Sequence, residues 1–67
     1  MKITFNTQPI TVIFKDGSFA SFEYAIKWYK NIDFYDIFFV VNDNLNYCKY
    51  ECSDVATIVF GLIDNAI

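Results

Sequence analysis

Residues 34 to 42 read Phe-Tyr-Asp-Ile-Phe-Phe-Val-Val-Asn, and the five consecutive β-formers from Ile37 to Val41 leave little choice but a strand. Both faces of that strand are apolar. Asp36 marks the wetter face, so Tyr35, Ile37, Phe39 and Val41 are expected in the core and Phe38 and Val40 on the opposite side. Asp43-Asn44 offers a two-residue type I′ turn into a strand over 45 to 51. In that register Phe39 lies opposite Cys48, Ile37 opposite Tyr50, Val40 opposite Tyr47 and Phe38 opposite Lys49, which brings Tyr47 to the outer face.

Two further strands are expected over residues 2 to 7 and 10 to 15, separated by a turn through Pro9 and ended by Asp16-Gly17. Ser21 reads as an N-cap for a helix over about 21 to 31. On it Phe22, Ala25, Ile26 and Tyr29 share one face, Glu23, Lys27 and Lys30 a wet one, and Tyr24 and Trp28 a third stripe. An alternative continues the hairpin from Ser18 to Tyr24 as a strand and leaves only a short helix. Ser53-Asp54 reads as the start of a second helix over 54 to 65, with Val55, Ile58, Val59 and Leu62 inward and Phe60 and Ile63 widening its apolar arc. The expected fold is therefore α+β in the order ββαββα. A four-stranded, mainly antiparallel sheet carries two helices on one face, in one compact domain over residues 1 to 67.

Length limits what such a domain can do. At 67 residues there is room for one core, and a 55% hydrophobic, 19% charged composition is that of a folding chain rather than a disordered one. A net charge of -3 and the absence of Arg disfavour direct nucleic-acid binding, since neither a positive field nor a planar fork for phosphate is present. His is also missing, which removes the commonest general base and metal ligand. Ser18, Ser21 and Ser53 have no His to activate them, and two Gly cannot write a phosphate-binding loop.

Other chemical constellations are weak. Cys48 and Cys52 have C-x3-C spacing, which on a strand separates them by ~13 Å, too far for a disulfide, so both read as reduced thiols packed as small hydrophobes. Asp33 and Asp36 are more simply a turn residue and an edge charge than an acid/base pair. No enzymatic activity, cofactor or metal is expected. No apolar stretch reaches the ~20 residues of a membrane-spanning helix and no secretory signal is evident, so the expected location is the cytoplasm.

What remains is surface. Phe, Tyr and Trp make up 21% of a chain too small to bury them all, and a contiguous exposed apolar patch marks an interaction site. The candidate partner-binding residues are Tyr24, Trp28, Phe38, Val40, Tyr47, Phe60 and Ile63, with Glu23 and Asp36 meeting a basic partner. Ile, Phe, Asn, Lys and Tyr supply 33 of the 67 residues, a bias of AT-rich coding that suggests a low-GC bacterium or its phage. The leading expectation is a small acidic inhibitor from a phage or mobile element that sterically blocks a host enzyme, such as a CRISPR-type defence nuclease. The acids could also mimic a phosphate track. The alternative is a self-associating structural subunit, a homodimer that hides the same rings.

Overall fold

A computed structural model describes residues 6 to 62. Its elements are β1 (Gln8–Phe14), β2 (Phe19–Lys30), β3 (Phe34–Val41), β4 (Asn44–Glu51), a short 3-10 turn (Cys52–Asp54) and β5 (Val55–Phe60). All strand pairs are antiparallel, and the sheet order is β4-β3-β2-β1-β5. The expected α+β fold is thus overturned: among the described residues there are five strands, no α-helix and a single 3-10 turn.

Strands replace both expected helices within the described residues, the end of the second, residues 63 to 65, lying outside them, for reasons visible in the residues. Residues 19 to 30 hold two Phe, two Tyr, a Trp and an Ile, aromatic and β-branched types that pack well on a pleated surface and lose rotamer freedom in a helix. What disguised β2 is a pair of irregularities. Phe22 and Ala25 pair with Ile10 and Gln8, while Ala25 and Lys27 pair with Phe39 and Phe38, so β2 carries one extra residue toward each neighbour. Phe22, Ala25 and Trp28 consequently all point inward, a spacing of three that imitates a helical stripe. The two bulges bend β2 so that its first half pairs with β1 and its second half with β3. Residues 55 to 60, Val-Ala-Thr-Ile-Val-Phe, are mostly β-branched, and Gly61 with φ 103° ends the strand. Ser53-Asp54 closes a 3-10 turn that begins at Cys52 rather than opening a helix. The expected strand over 2 to 7 falls largely outside the described residues; Asn6 and Thr7 are not in a strand.

The β3–β4 hairpin was legible, with one correction. Its turn is Asn42-Asp43, at φ 52° and 64°, one residue earlier than expected. Val41 therefore faces Asn44, and Phe38 faces Tyr47 rather than Lys49. Moving a hairpin turn by one residue shifts the pairing by two, which preserves the face of every side chain. At the first turn Asp16 accepts hydrogen bonds from the Ser18 amide and hydroxyl, which hold its carboxyl below the ordinary range, and Gly17 takes φ 91°.

Strands β4 and β5 lie at opposite edges of the sheet but are joined by only three residues, so the sheet must curl until its edges converge. The Lys15 amide donates to the Asp54 carbonyl at 2.9 Å and the Cys52 amide to the Asp33 carbonyl at 2.8 Å, which fastens the connection at both ends. The edges do not pair with each other, so the result is a flattened, half-open barrel whose Cα extents are 42 × 34 × 15 Å. Its concave side holds Ile10, Val12, Ala25, Ile37 and Val55, closed over by Phe14, Phe22, Trp28, Tyr35, Phe39, Cys48, Tyr50 and Ile58. Thr11 is also fully buried; its hydroxyl donates to the Gly61 carbonyl at 2.8 Å and lies 3.1 Å from Ser21 Oγ.

Candidate functional site

A curled antiparallel sheet fills its concave face with a core, and its convex face can stand against water or take another layer. Phe19–Lys30 and Val55–Phe60, being strands of the sheet itself, supply no helical layer over either face. The convex face of β2, β3 and β4 is therefore bare among the described residues, and its side chains follow from register. One row is Lys27, Phe38 and Tyr47; the next is Tyr29, Asp36 and Lys49; Val40 pairs with Leu45 beyond the first, and Phe34 with Glu51 beyond the second.

Three rings cross this face in contact. Tyr29 meets Phe38 edge-on at a centroid separation of 6.0 Å, and Phe38 lies 5.3 Å from Tyr47 with a 35° tilt. Tyr29 and Tyr47 each keep about half of their surface exposed, 51% in both cases, and Leu45 keeps 57%. Beside the rings, Ile26, Lys27, Tyr29, Phe38 and Leu45 line an open depression of about 500 Å³. Ile26 is the extra residue that β2 carries toward β3, so the bulge shapes this hollow.

The polar groups around the rings are organised. Tyr47 Oη donates to Asp36 Oδ1 at 3.3 Å and Asn31 Nδ2 to Asp36 Oδ2 at 3.4 Å, so the one carboxylate in the middle of the face is held by neutral donors. Lys27 Nζ sits 5.5 Å from the Tyr29 ring centre, and Lys49 Nζ 4.7 Å from that of Phe34. No lysine–carboxylate ion pair forms among the described residues, so these two ammonium groups rest on aromatic rings without a counter-charge.

The expected binding residues divide. Phe38, Val40, Tyr47 and Asp36 share the convex face, as their strand parity required. Tyr24 and Glu23 lie on β2 beside a second depression of about 390 Å³, which Val40 also lines. Trp28 turns inward, 5.9 Å from the Tyr35 ring and packed on the core, because residues 19 to 30 form a strand in which it shares the face of Phe22, not a helix in which it would fall on a separate stripe. Phe60 is 72% exposed on β5, on the far side of the sheet order from β3 and β4, and Ile63 lies outside the described residues. Sequence reasoning missed Tyr29, Leu45, Lys27 and Lys49. The strand alternative for β2, carried past Tyr24, would have found Lys27 and Tyr29 by simple alternation.

The thiols are placed apart in role. Cys48 is half-buried on the concave face beside Tyr50; burial pushes its thiol up, and burial with the neighbouring Cys48 pushes the Tyr50 phenol up to about 12. Cys52 lies in the 3-10 turn, its Sγ donating to the Asn31 carbonyl at 3.6 Å. Among the described residues no cluster of three or more Cys, Asp or Glu gathers as metal ligands, and no helix is long and apolar enough to cross a membrane.

No protein family, no curated protein and no solved structure matches the chain. A phage origin and an anti-CRISPR role consequently have nothing to rest on and are withdrawn, together with the α+β description. The idea of a phosphate-mimicking track fares no better in its geometry. Asp16, Asp33 and Asp43 occupy turns, Asp54 the 3-10 turn, Glu23 and Glu51 two different strands, and Asp36 is tied up by Asn31 and Tyr47.

Proposed function

We propose that this protein is a binding module that works by occupying a partner protein's surface, through the convex face of β2, β3 and β4. One observation carries the reading: Tyr29, Phe38 and Tyr47 form a continuous aromatic row, its two tyrosines half-exposed and Phe38 partly buried between them, on a sheet face with no covering layer among the described residues. Tyr-rich patches framed by polar groups are the usual composition of interface centres, and rings held by mutual contact lose little freedom when a partner covers them. Lys27, Lys49 and Asp36 form the polar frame. The action assigned is steric, as in an inhibitor or adaptor, with no chemical step.

The test is site-specific photo-crosslinking in the native host. Benzoylphenylalanine in place of Phe38 should give a protein adduct, and the same group in place of Thr57 on β5 should not. Equal labelling from both positions, or none from position 38, would sink the assignment of this face.

A further inference from the structure

The convex face ends at β4, and β4 is an edge strand: among the described residues only β3 pairs with it. Which of its backbone groups are free follows from the turn. A two-residue type I′ loop at Asn42-Asp43 closes on a hydrogen-bonded pair, Val41 with Asn44, so bonded and non-bonded pairs alternate from there. Asn46, Cys48 and Tyr50 spend their N–H and C=O groups on β3. Leu45, Tyr47, Lys49 and Glu51 aim theirs outward, away from the sheet. The close approach of the Phe38 and Tyr47 rings, at 5.3 Å, is what a non-bonded pair gives.

The residues with free backbone groups are therefore the ones whose side chains stand on the aromatic convex face: Leu45, Tyr47 and Lys49. A strand laid along this edge would satisfy the orphan groups, and its alternate side chains would extend that face. Charge says which strand. Lys49 stands opposite Asp36 on β3 but makes no ion pair with it, because that carboxylate is taken up by Tyr47 and Asn31; on its open side an antiparallel neighbour therefore fits best with an acidic residue opposite Lys49 and apolar residues opposite Tyr47 and Leu45. A second copy of β4 fits less well. Of the two-fold pairings that align the free groups with greatest overlap, one sets Lys49 against Leu45 and the other sets it against Tyr47 and Glu51 against Leu45, so neither supplies a counter-charge. We infer that the partner binds by strand addition to the β4 edge, as an extended segment of pattern acidic-x-apolar-x-apolar running antiparallel to β4. This rests on the convex-face reading above and specifies its partner.

The experiment uses the full chain and a labelled peptide, Ser-Glu-Thr-Ile-Thr-Val-Ser, capped at both ends, read by fluorescence anisotropy. N-methylation of the Ile amide, which would face Tyr47, should weaken binding about tenfold or more, and N-methylation of the Thr before it, whose N–H points away, should be tolerated. Replacing the peptide Glu by Lys should cost up to about fivefold, and Lys49→Glu should restore that variant. Several results would overturn the inference: no binding at millimolar peptide, equal effects of the two N-methyl groups, or no charge-swap rescue. It would also fall, in favour of self-pairing, if a peptide of residues 44 to 51 of this chain bound as tightly as the acidic probe. Since crosslinking from position 38 reads the face without reference to the edge, a negative peptide result alongside a positive crosslink would reject strand addition alone.

Discussion

Phe14 on β1 and Tyr50 on β4 meet edge to face at 5.0 Å, although β2 and β3 lie between their strands in the sheet. Strands stand nearly 5 Å apart, so a flat sheet would separate these two by roughly 14 Å; the contact measures the curl that makes one face concave. Phe22, 4.9 Å from Phe39 and 6.5 Å from Tyr50, fills the space between them. Phe14→Ala should therefore act on the whole barrel. The expected loss is about 3 kcal/mol, at the low end for a Phe truncation because the ring is only half-buried. Urea unfolding followed by circular dichroism would measure it, and a loss below about 1 kcal/mol would mean that the curl does not depend on this contact.

Alkaline pH should unfold the protein through its concave face. The Cys48 thiol and the Tyr50 phenol both have folded-state values raised above their ordinary ones, so the neutral forms are favoured by folding. A raised acid contributes stability that is complete below its unfolded value and is lost as pH climbs to the folded one. The urea midpoint should therefore hold up to about pH 9 and fall between there and about pH 12. Tyr50→Phe should flatten the upper part of that fall. A midpoint equally steep in both proteins would remove Tyr50 from the account.

How much of this was legible from residue order depends on the strand. The β3–β4 hairpin was, because Ile37 to Val41 admits no helix and Asn-Asp supplies a turn; the one-residue error in the turn kept the face of each side chain, but Val41, expected in the core, stands 46% exposed at the hairpin end. β2 was not, because its two bulges set Phe22, Ala25 and Trp28 inward at a spacing of three, and bulges depend on neighbouring strands that periodicity does not see. β5 was mistaken for a helix because its apolar run is short enough to fit either period, with Ser53-Asp54 imitating a cap. Of the site, Phe38, Val40, Tyr47 and Asp36 were found through the hairpin, while Tyr29 and Lys27 were hidden in the misread β2.

The end of β5 should be sensitive to two small changes that remove different things. Gly61 has φ 103°, a conformation that L side chains rarely adopt, and open space where a Cβ would sit, so Gly61→Ala should cost about 1 to 2 kcal/mol from backbone strain alone. Thr11→Val keeps the volume but takes away the hydroxyl that the Gly61 carbonyl and Ser21 share, for a similar loss from unmet, part-buried hydrogen-bonding groups. Thermal unfolding would register each as a drop in Tm of roughly 5 to 15 °C for a domain of this size. An unchanged Tm in Gly61→Ala would show that the chain can leave this conformation freely.

The two faces of the same hairpin should respond oppositely to truncation. Ile37 is fully buried on the concave side, and Ile37→Ala should remove about 3 kcal/mol of stability, the transfer loss plus a cavity in a core with few other buried side chains. Leu45, paired through Val40 to the convex side and more than half exposed, should cost under about 0.5 kcal/mol as Leu45→Ser. Binding should invert that order. Leu45→Ser borders both the aromatic depression and the free β4 edge, so it should reduce partner crosslinking from position 38 while leaving the urea midpoint in place. If Leu45→Ser instead destabilised the fold as much as Ile37→Ala, the convex face would be part of the structural core and its rings would not be available to a partner.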